Sequence, residues 1–443
     1  MSEASSFTPL EQAYLNFDQI RPIDPKGEDA KFHIELKAKS VQRLFLDLKL
    51  QARNNLKILF SGHKGCGKST QLNYLAATPE IKSEFLVVKY SIQDLLNPDD
   101  LDHIDLLVSM ALKTYEAAQD AGIRASSQLQ KKIQELADQL HGLIARTTTT
   151  SSGRSGNTGA KGKVGLPSIL DFIKAQFFAR YQVEFATRDE IRKHYRPRLN
   201  ELIDTLNAIL DEIRLSLPTQ KNILILIDDT DKAPLDKSLE VFERDGLHLA
   251  KPKCCVIYVI DMALVCSARF RATANTIGKE TILPNLRLTN VTGDIDEEAK
   301  ANRALFTQIA YSRMDRSLID EDALNEVITM SGGVMREFMA LVAKSLSNAL
   351  IEQRPRVSRV DVDRAVIDTR NSFPLRADHI EMLQEVLRDP RWYTTSRVED
   401  EKSPVLELLH TLALLEYRNG EEKWRQPHPC LRKLLERPRV EQP

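Results

Sequence analysis

Paired cysteines are missing from this sequence: its five (Cys66, Cys254, Cys255, Cys266 and Cys430) are odd in number and show no Cys-x-x-Cys spacing. That argues against a disulfide framework, leaves no legible zinc site, and fits a reduced, cytoplasmic setting. An excess of one charge is missing too, with 62 Lys and Arg against 63 Asp and Glu, so any electrostatic signal for nucleic acid must be local. Long hydrophobic runs are absent. The longest, such as Ile223–Ile227, are strand-sized and far short of the roughly 20 residues a membrane helix needs, so no membrane partner is expected. The opening Met-Ser-Glu-Ala-Ser-Ser lacks a basic segment followed by an apolar one, and no signal peptide is expected. At 443 residues the chain has room for two to four structural units and a large core.

The most informative stretch is Leu56–Thr70. Lys57–Ser61 reads as a short apolar strand, and Gly62-His63-Lys64-Gly65-Cys66-Gly67-Lys68-Ser69 follows it without a gap. Glycines suit a tight loop whose backbone N–H groups converge on phosphate oxygens, and Ser69 and Thr70 open a helix whose N-terminus favours an anion. In this pattern Lys68 reaches the β- and γ-phosphates and the Ser69 hydroxyl ligates Mg²⁺. The expected cofactors are ATP and Mg²⁺, held by Gly62 through Thr70. Guanine is disfavoured because no Asn-Lys-x-Asp signature is present.

Further strands are expected at Phe85–Ser91, Asn222–Asp228, Cys255–Asp261 and, more weakly, from Thr281. Near-continuous apolar strands separated by helical segments imply an α/β fold with a parallel sheet covered on both faces. Asp228 and Asp229 close the most apolar of these strands, where Asp228 can join the Mg²⁺ shell and Asp229 can orient or deprotonate an attacking water. Asp231 has two readings, an assisting carboxylate or an N-cap for the segment after Pro234. Much later, Ser331-Gly-Gly-Val-Met-Arg336 sits between two helical patterns. Arg336 in a helix's first turn can swing onto a γ-phosphate or, alternatively, stay solvated.

Between the strands at Phe85 and Asn222 lie about 130 residues, more than one crossover helix needs. Leu129, Ile133, Leu136, Leu140 and Leu143, and then Leu199, Leu202, Leu206, Ile209 and Ile213, recur at helical spacing and read as partners in a helical hairpin. Thr147–Lys163 between them reads as a disordered linker. From Arg124 to Arg198 there are 14 Lys and Arg against 6 Asp and Glu, densest at Arg188–Arg198; phosphate-backbone contact and a merely soluble basic surface are both open.

An amphipathic helix is expected from Lys31 to Arg53, and lid helices at Glu297–Arg313, Asp320–Met330, Met335–Gln353 and Ser358–Ile367. Helices at Asp378–Leu387 and Val405–Tyr417 and a small hairpin around Arg418-Asn-Gly-Glu follow. The division is a 1–30 extension, a 31–295 core with a helical, partly disordered insertion at about 97–220, a 296–370 lid, and a 371–443 C-terminal domain of possible winged-helix form.

Gly62–Thr70 resembles Walker A, Ile223–Asp229 Walker B, and Ser331–Arg336 the Gly-Gly-x-x-Arg sensor 2 of AAA+ ATPases. The motif order is similar to the replication-initiator branch and to STAND and KAP-type signalling NTPases, over about Lys31 to Arg370 without the insertion. The resemblance implies an ATP-hydrolysing switch or motor, with Asp229, Lys68 and Arg336 catalytic and a protein partner, as in bacterial antiviral defence or signalling. The alternative is a DNA-associated initiator or transposition regulator. It also implies ATP-dependent oligomers, with Arg269 or Arg271 placed roughly where an arginine finger falls. Asp261 departs from the pattern, standing where a polar sensor 1, often Asn or Thr, is usual.

Overall fold

Four apolar runs and a short polar edge strand form one parallel sheet of order β2-β3-β4-β1-β5: β1 (Lys57–Ser61), β2 (Phe85–Ser91), β3 (Asn222–Asp228), β4 (Cys255–Ile260) and the edge strand β5 (Lys279–Ile282). The structure is a computed structural model that describes residues 7–17, 21–35, 38–123, 126–151, 177–217, 221–391, 403–420 and 422–436. Because successive strand residues point to opposite faces, β3 splits its side chains between two cores. Leu224 and Leu226 join Ile58, Phe60, Ile257 and Val259 under α2 (Lys39–Gln51) and α3 (Lys68–Ala77). Ile223, Ile225 and Ile227 join Leu59, Val256 and Tyr258 under the inserted helices. The five aliphatic side chains of β3 are fully buried, each stabilising by about 1.5–3 kcal/mol.

The insertion supplies α4 (His103–Asp120), α5 (Ser127–Ser151), α6 (Phe185–Tyr195) and α7 (Leu199–Ser216). The leucine stripes of α5 and α7 are buried together in the core on that face of the sheet, the hairpin their spacing implies. The helix continues through Thr147–Ser151, where a linker was expected; residues 152–163 of that stretch lie outside the described residues. Two arginines of the basic segment are turned inward, while Lys193, Arg196 and Arg198 stay exposed. Arg192 bonds Asp100 at 2.8 Å and Asp105 at 2.5 Å, and Arg188 bonds Asp100 at 3.0 Å. Arg196 and Lys193 pair with Asp102 and Asp189. Two buried guanidinium groups need such partners, so Arg188 and Arg192 hold the insertion together instead of facing a phosphate backbone.

A second core joins α8 (Glu297–Tyr311), α9 (Glu321–Met330), α10 (Met335–Ile351) and α11 (Arg359–Asn371). The N-terminal helix α1 (Pro9–Phe17) buries Leu10, Ala13 and Phe17 in that core. The helix expected from Lys31 begins only at Lys39: Glu28–Phe32 is a 3₁₀ turn, and His33–Glu35 is not helical. At the C-terminal end, α12 (Ala377–Arg388) and α13 (Pro404–His410) precede an antiparallel hairpin of β6 (Leu414–Arg418) and β7 (Lys423–Pro427). The helix expected over Val405–Tyr417 thus stops early. Leu412 takes a left-handed φ of 62°, which ends helical pairing, and the next residues enter the hairpin. Among the described residues no helix is long and apolar enough to cross a membrane.

Candidate functional site

The carboxyl ends of β1 and β3 face one cleft because the sheet is parallel. The β2–β3 register sets Ser91 opposite Asp228, and the β1–β4 register sets Ser61 opposite Ile260, which brings Asp261 beside the loop after β1. The loop turns into α3 with Gly67 as an N-cap that offers no side-chain acceptor, so N–H groups of the helix's first turn remain for an anion. Gly65 has φ 83°, and a Cβ there would lie 2.4 Å from Arg336 Cβ. Only glycine lets the helix bearing Arg336 come this close, and the Arg336 amide then donates to Gly65 O at 3.1 Å.

Charges converge on this loop. Lys68 Nζ is buried, donates to the Gly62 and His63 carbonyls at 2.7 and 3.0 Å, and pairs with Asp231 Oδ2 at 2.8 Å. Burial works against its charge, but Asp231 outweighs it and holds the lysine above its ordinary pKa. Ser69 Oγ donates to Asp228 Oδ1 at 3.0 Å. Burial and the neighbouring Asp229 push the Asp228 carboxyl up, against Lys89. Asp229 sits at φ 66°, its oxygens held by Ser91 Oγ at 2.5 Å and Lys232 Nζ at 2.7 Å. The N-cap for the segment after Pro234 is Pro234 itself, so Asp231 serves Lys68.

Lys64, Gly65, Cys66, Gly67, Lys68, Ser69, Thr70, Asp229 and Arg336 all line the cleft. Gly62 contributes through its carbonyl. His63 turns the other way: its Nε2 accepts the Glu416 amide at 2.8 Å, and its Nδ1 has no hydrogen-bond partner. Arg269 and Arg271 are exposed and are not among the cleft residues. Asp261 caps the short helix after β4 through Ala263 N at 2.7 Å and pairs with His410 at 2.8 Å.

The far wall of the cleft was not legible in the sequence. Pro22, Ile23, Phe32, His33 and Ile34 from the N-terminal segment face Ile309, Arg313, Met335 and Met339 of the second helical core. The segment is tied to α3 by Ile23 N to Thr70 Oγ1 at 3.2 Å and Asn73 Nδ2 to Ile23 O at 2.9 Å. His33 stacks on Tyr74 at 3.7 Å, and Arg313 lies over Phe32 at 4.9 Å. Burial brings Arg313 down to about 10. An apolar wall with a ring stack and a cation, opposite a phosphate loop, suits a flat heteroaromatic base.

The residues fit a magnesium nucleotide. Ser69 Oγ and Asp228 are oxygen donors side by side at the loop, the hard ligand type Mg²⁺ takes together with phosphate and water. Among the described residues no cluster of three or more His, Cys, Asp or Glu could hold a metal by itself. The strand, the glycine loop and α3 are in place. The fold is that of a P-loop NTPase.

No protein-family model and no curated protein matches the chain. Among solved structures it is similar to Cdc6p from Pyrobaculum aerophilum, at 12% identity over 92% of this chain and 98% of that one, TM-score 0.39. It is also similar to the Aeropyrum pernix ORC2 protein, at 12% over 95% of each chain, TM-score 0.41. A third is the RuvB Holliday junction branch migration motor of Thermotoga maritima, at 12% over 94% and 98%, TM-score 0.36. At such scores none of them transfers an activity to this chain.

The burial of His63 beneath the hairpin is expected to make the fold acid-sensitive. Burial lowers the His63 pKa to about 4, against Glu416 and Asp261, while Lys68 adds to the lowering. The unfolded chain therefore binds the proton first as pH falls from 6.5 towards 4, and stability present above pH 6.5 is lost over that window. Urea unfolding at pH 7 and pH 5 is expected to show a drop that His63→Gln reduces by up to about 1.4 kcal/mol per pH unit.

Proposed function

We propose that the protein binds MgATP in this cleft and hydrolyses it, using the nucleotide to switch the lid and C-terminal region. The observation that carries the reading is the Ser69–Asp228 contact at 3.0 Å beside the Lys68–Asp231 pair at 2.8 Å, which gathers a phosphate-binding lysine and a metal-binding oxygen pair at one loop. Lys68 and the loop amides would hold the phosphates, and Ser69 and Asp228 the Mg²⁺, which neutralises phosphate charge when bound. Asp229 Oδ2, now held by Ser91 Oγ, would orient water and take its proton.

Arg336 supports the switching part. Its amide is anchored to the loop, and its side chain lines the cleft, so a γ-phosphate would gain a charge-assisted contact that ADP lacks. Arg336→Ala is expected to reduce the preference for ATP over ADP by about tenfold, the size of one hydrogen bond to a charged group. Competition of the two nucleotides for a fluorescent analogue measures it.

The motif resemblance extends this reading to an AAA+ switch working with a partner protein, as in antiviral defence or signalling, or with DNA as initiators do. Phosphate release from MgATP, measured alone and with single- or double-stranded DNA, tests the activity and its coupling together. Turnover without DNA supports the switch. Salt-sensitive stimulation by DNA moves the assignment to the DNA-associated form, and no turnover under any condition overturns hydrolysis.

A further inference from the structure

The loop after β1 is held from behind by the C-terminal hairpin. Glu416 N donates to His63 Nε2 at 2.8 Å, and on the next residue Tyr417 Oη donates to Gly332 O at 2.7 Å. A Cβ on Gly332 would lie 2.5 Å from Leu415 Cδ1. One strand, β6, therefore touches both the phosphate loop and the glycine turn that leads to Arg336. Glu416 is itself fixed by Arg418 and Arg425 at 2.7 and 3.0 Å.

Lys64 stands at the edge between this seam and the cleft. Its side chain lines the cleft, yet its Nζ lies 3.0 Å from His410 Nε2 and 3.5 Å from Asp261 Oδ2. His410, the last residue of α13, completes the triangle through Nδ1 to Asp261 Oδ2 at 2.8 Å. One ammonium thus neutralises a buried carboxylate at the C-terminal seam while standing beside the place where phosphate charge would arrive.

We propose that Lys64 is shared between the phosphate site and the C-terminal domain: a triphosphate in the cleft draws the Lys64 ammonium from Asp261 and His410 and loosens residues 404–418 on the loop. The proposal rests on the cleft being the nucleotide site. A ligand shifts such an equilibrium only by its differential affinity for the two states, and the coupling is reciprocal. Weakening the seam at His410 therefore has to tighten triphosphate binding, by about tenfold for a coupling of ordinary size. The effect is smaller for ADP, which brings less charge to Lys64.

The full chain is titrated with a non-hydrolysable ATP analogue and Mg²⁺, and with ADP, and amide hydrogen exchange of 404–418 is followed in each state. Faster exchange with the analogue than with ADP, and tighter analogue binding by His410→Ala, support the proposal. Unchanged or slower exchange at saturation, or equal or weaker binding by His410→Ala, overturns it. If His410→Ala fails to fold, Lys64→Gln replaces it: the nucleotide-dependent difference in exchange should vanish, and its persistence overturns the proposal. Absence of analogue binding by the wild-type chain removes the nucleotide reading and this proposal with it. Binding without any change in 404–418 removes this proposal alone.

Discussion

Lys68→Ala is expected to abolish nucleotide binding and to destabilise the protein even in the absence of nucleotide. The first effect follows from removing the cation placed for the β- and γ-phosphates, and a loss of at least a hundredfold in affinity is expected from a charged, multiply bonded group. The second follows from Asp231, which is buried and pairs with Lys68 at 2.8 Å. Deleting one member of a buried pair leaves the other charge uncompensated, at a cost of about 3–5 kcal/mol. Adding Asp231→Asn to Lys68→Ala should therefore recover most of the stability and none of the binding. Denaturant unfolding of the single and double variants, beside analogue titration, separates the effects. An undiminished unfolding free energy in Lys68→Ala would show that the pair contributes nothing.

Asp229→Asn should lower turnover by about a hundred- to ten-thousandfold, the range for a positioned general base, while nucleotide affinity changes by less than about threefold. The substitution isolates charge. Asp229 occupies the left-handed region at φ 66°, which asparagine tolerates and most residues do not, so the backbone of the turn is kept. The amide oxygen can keep the contact to Lys232 Nζ, and the amide N–H₂ can donate to Ser91 Oγ in place of accepting from it. Single-turnover hydrolysis with binding measured in parallel decides it. Turnover within tenfold of wild type would assign the base elsewhere, with Asp231 the next carboxylate in reach of the cleft.

The sheet was legible because buried parallel strands are written as continuous apolar runs: Phe85–Ser91 and Asn222–Asp228 are strands over those residues. The phosphate loop was legible because its chemistry needs glycines, a lysine and a hydroxyl in contiguous sequence. Three features were hidden because they depend on distant partners. Arg188 and Arg192 look like a basic surface until Asp100 and Asp105 arrive from 87 to 92 positions away. The segment at Phe32–Ile34 fell within the helix expected from Lys31 to Arg53, yet His33 is drawn onto Tyr74 and α2 begins only at Lys39. The seam joining His63 and Lys64 to Glu416 and His410 spans about 350 positions, and no local pattern marks it. Arg336 lies between these extremes: its Gly-Gly approach was visible, but its anchorage on Gly65 was not.

One magnesium nucleotide is expected at the bend after β1, with its metal held by Ser69 and Asp228. Calorimetric titration of the wild-type chain and of Ser69→Ala with ATP, each with and without Mg²⁺, tests it most directly. One site per chain is predicted, tightened by Mg²⁺ in the wild type and losing that dependence in Ser69→Ala. Binding by the wild type that ignores Mg²⁺, or an unchanged Mg²⁺ dependence in the variant, would contradict it.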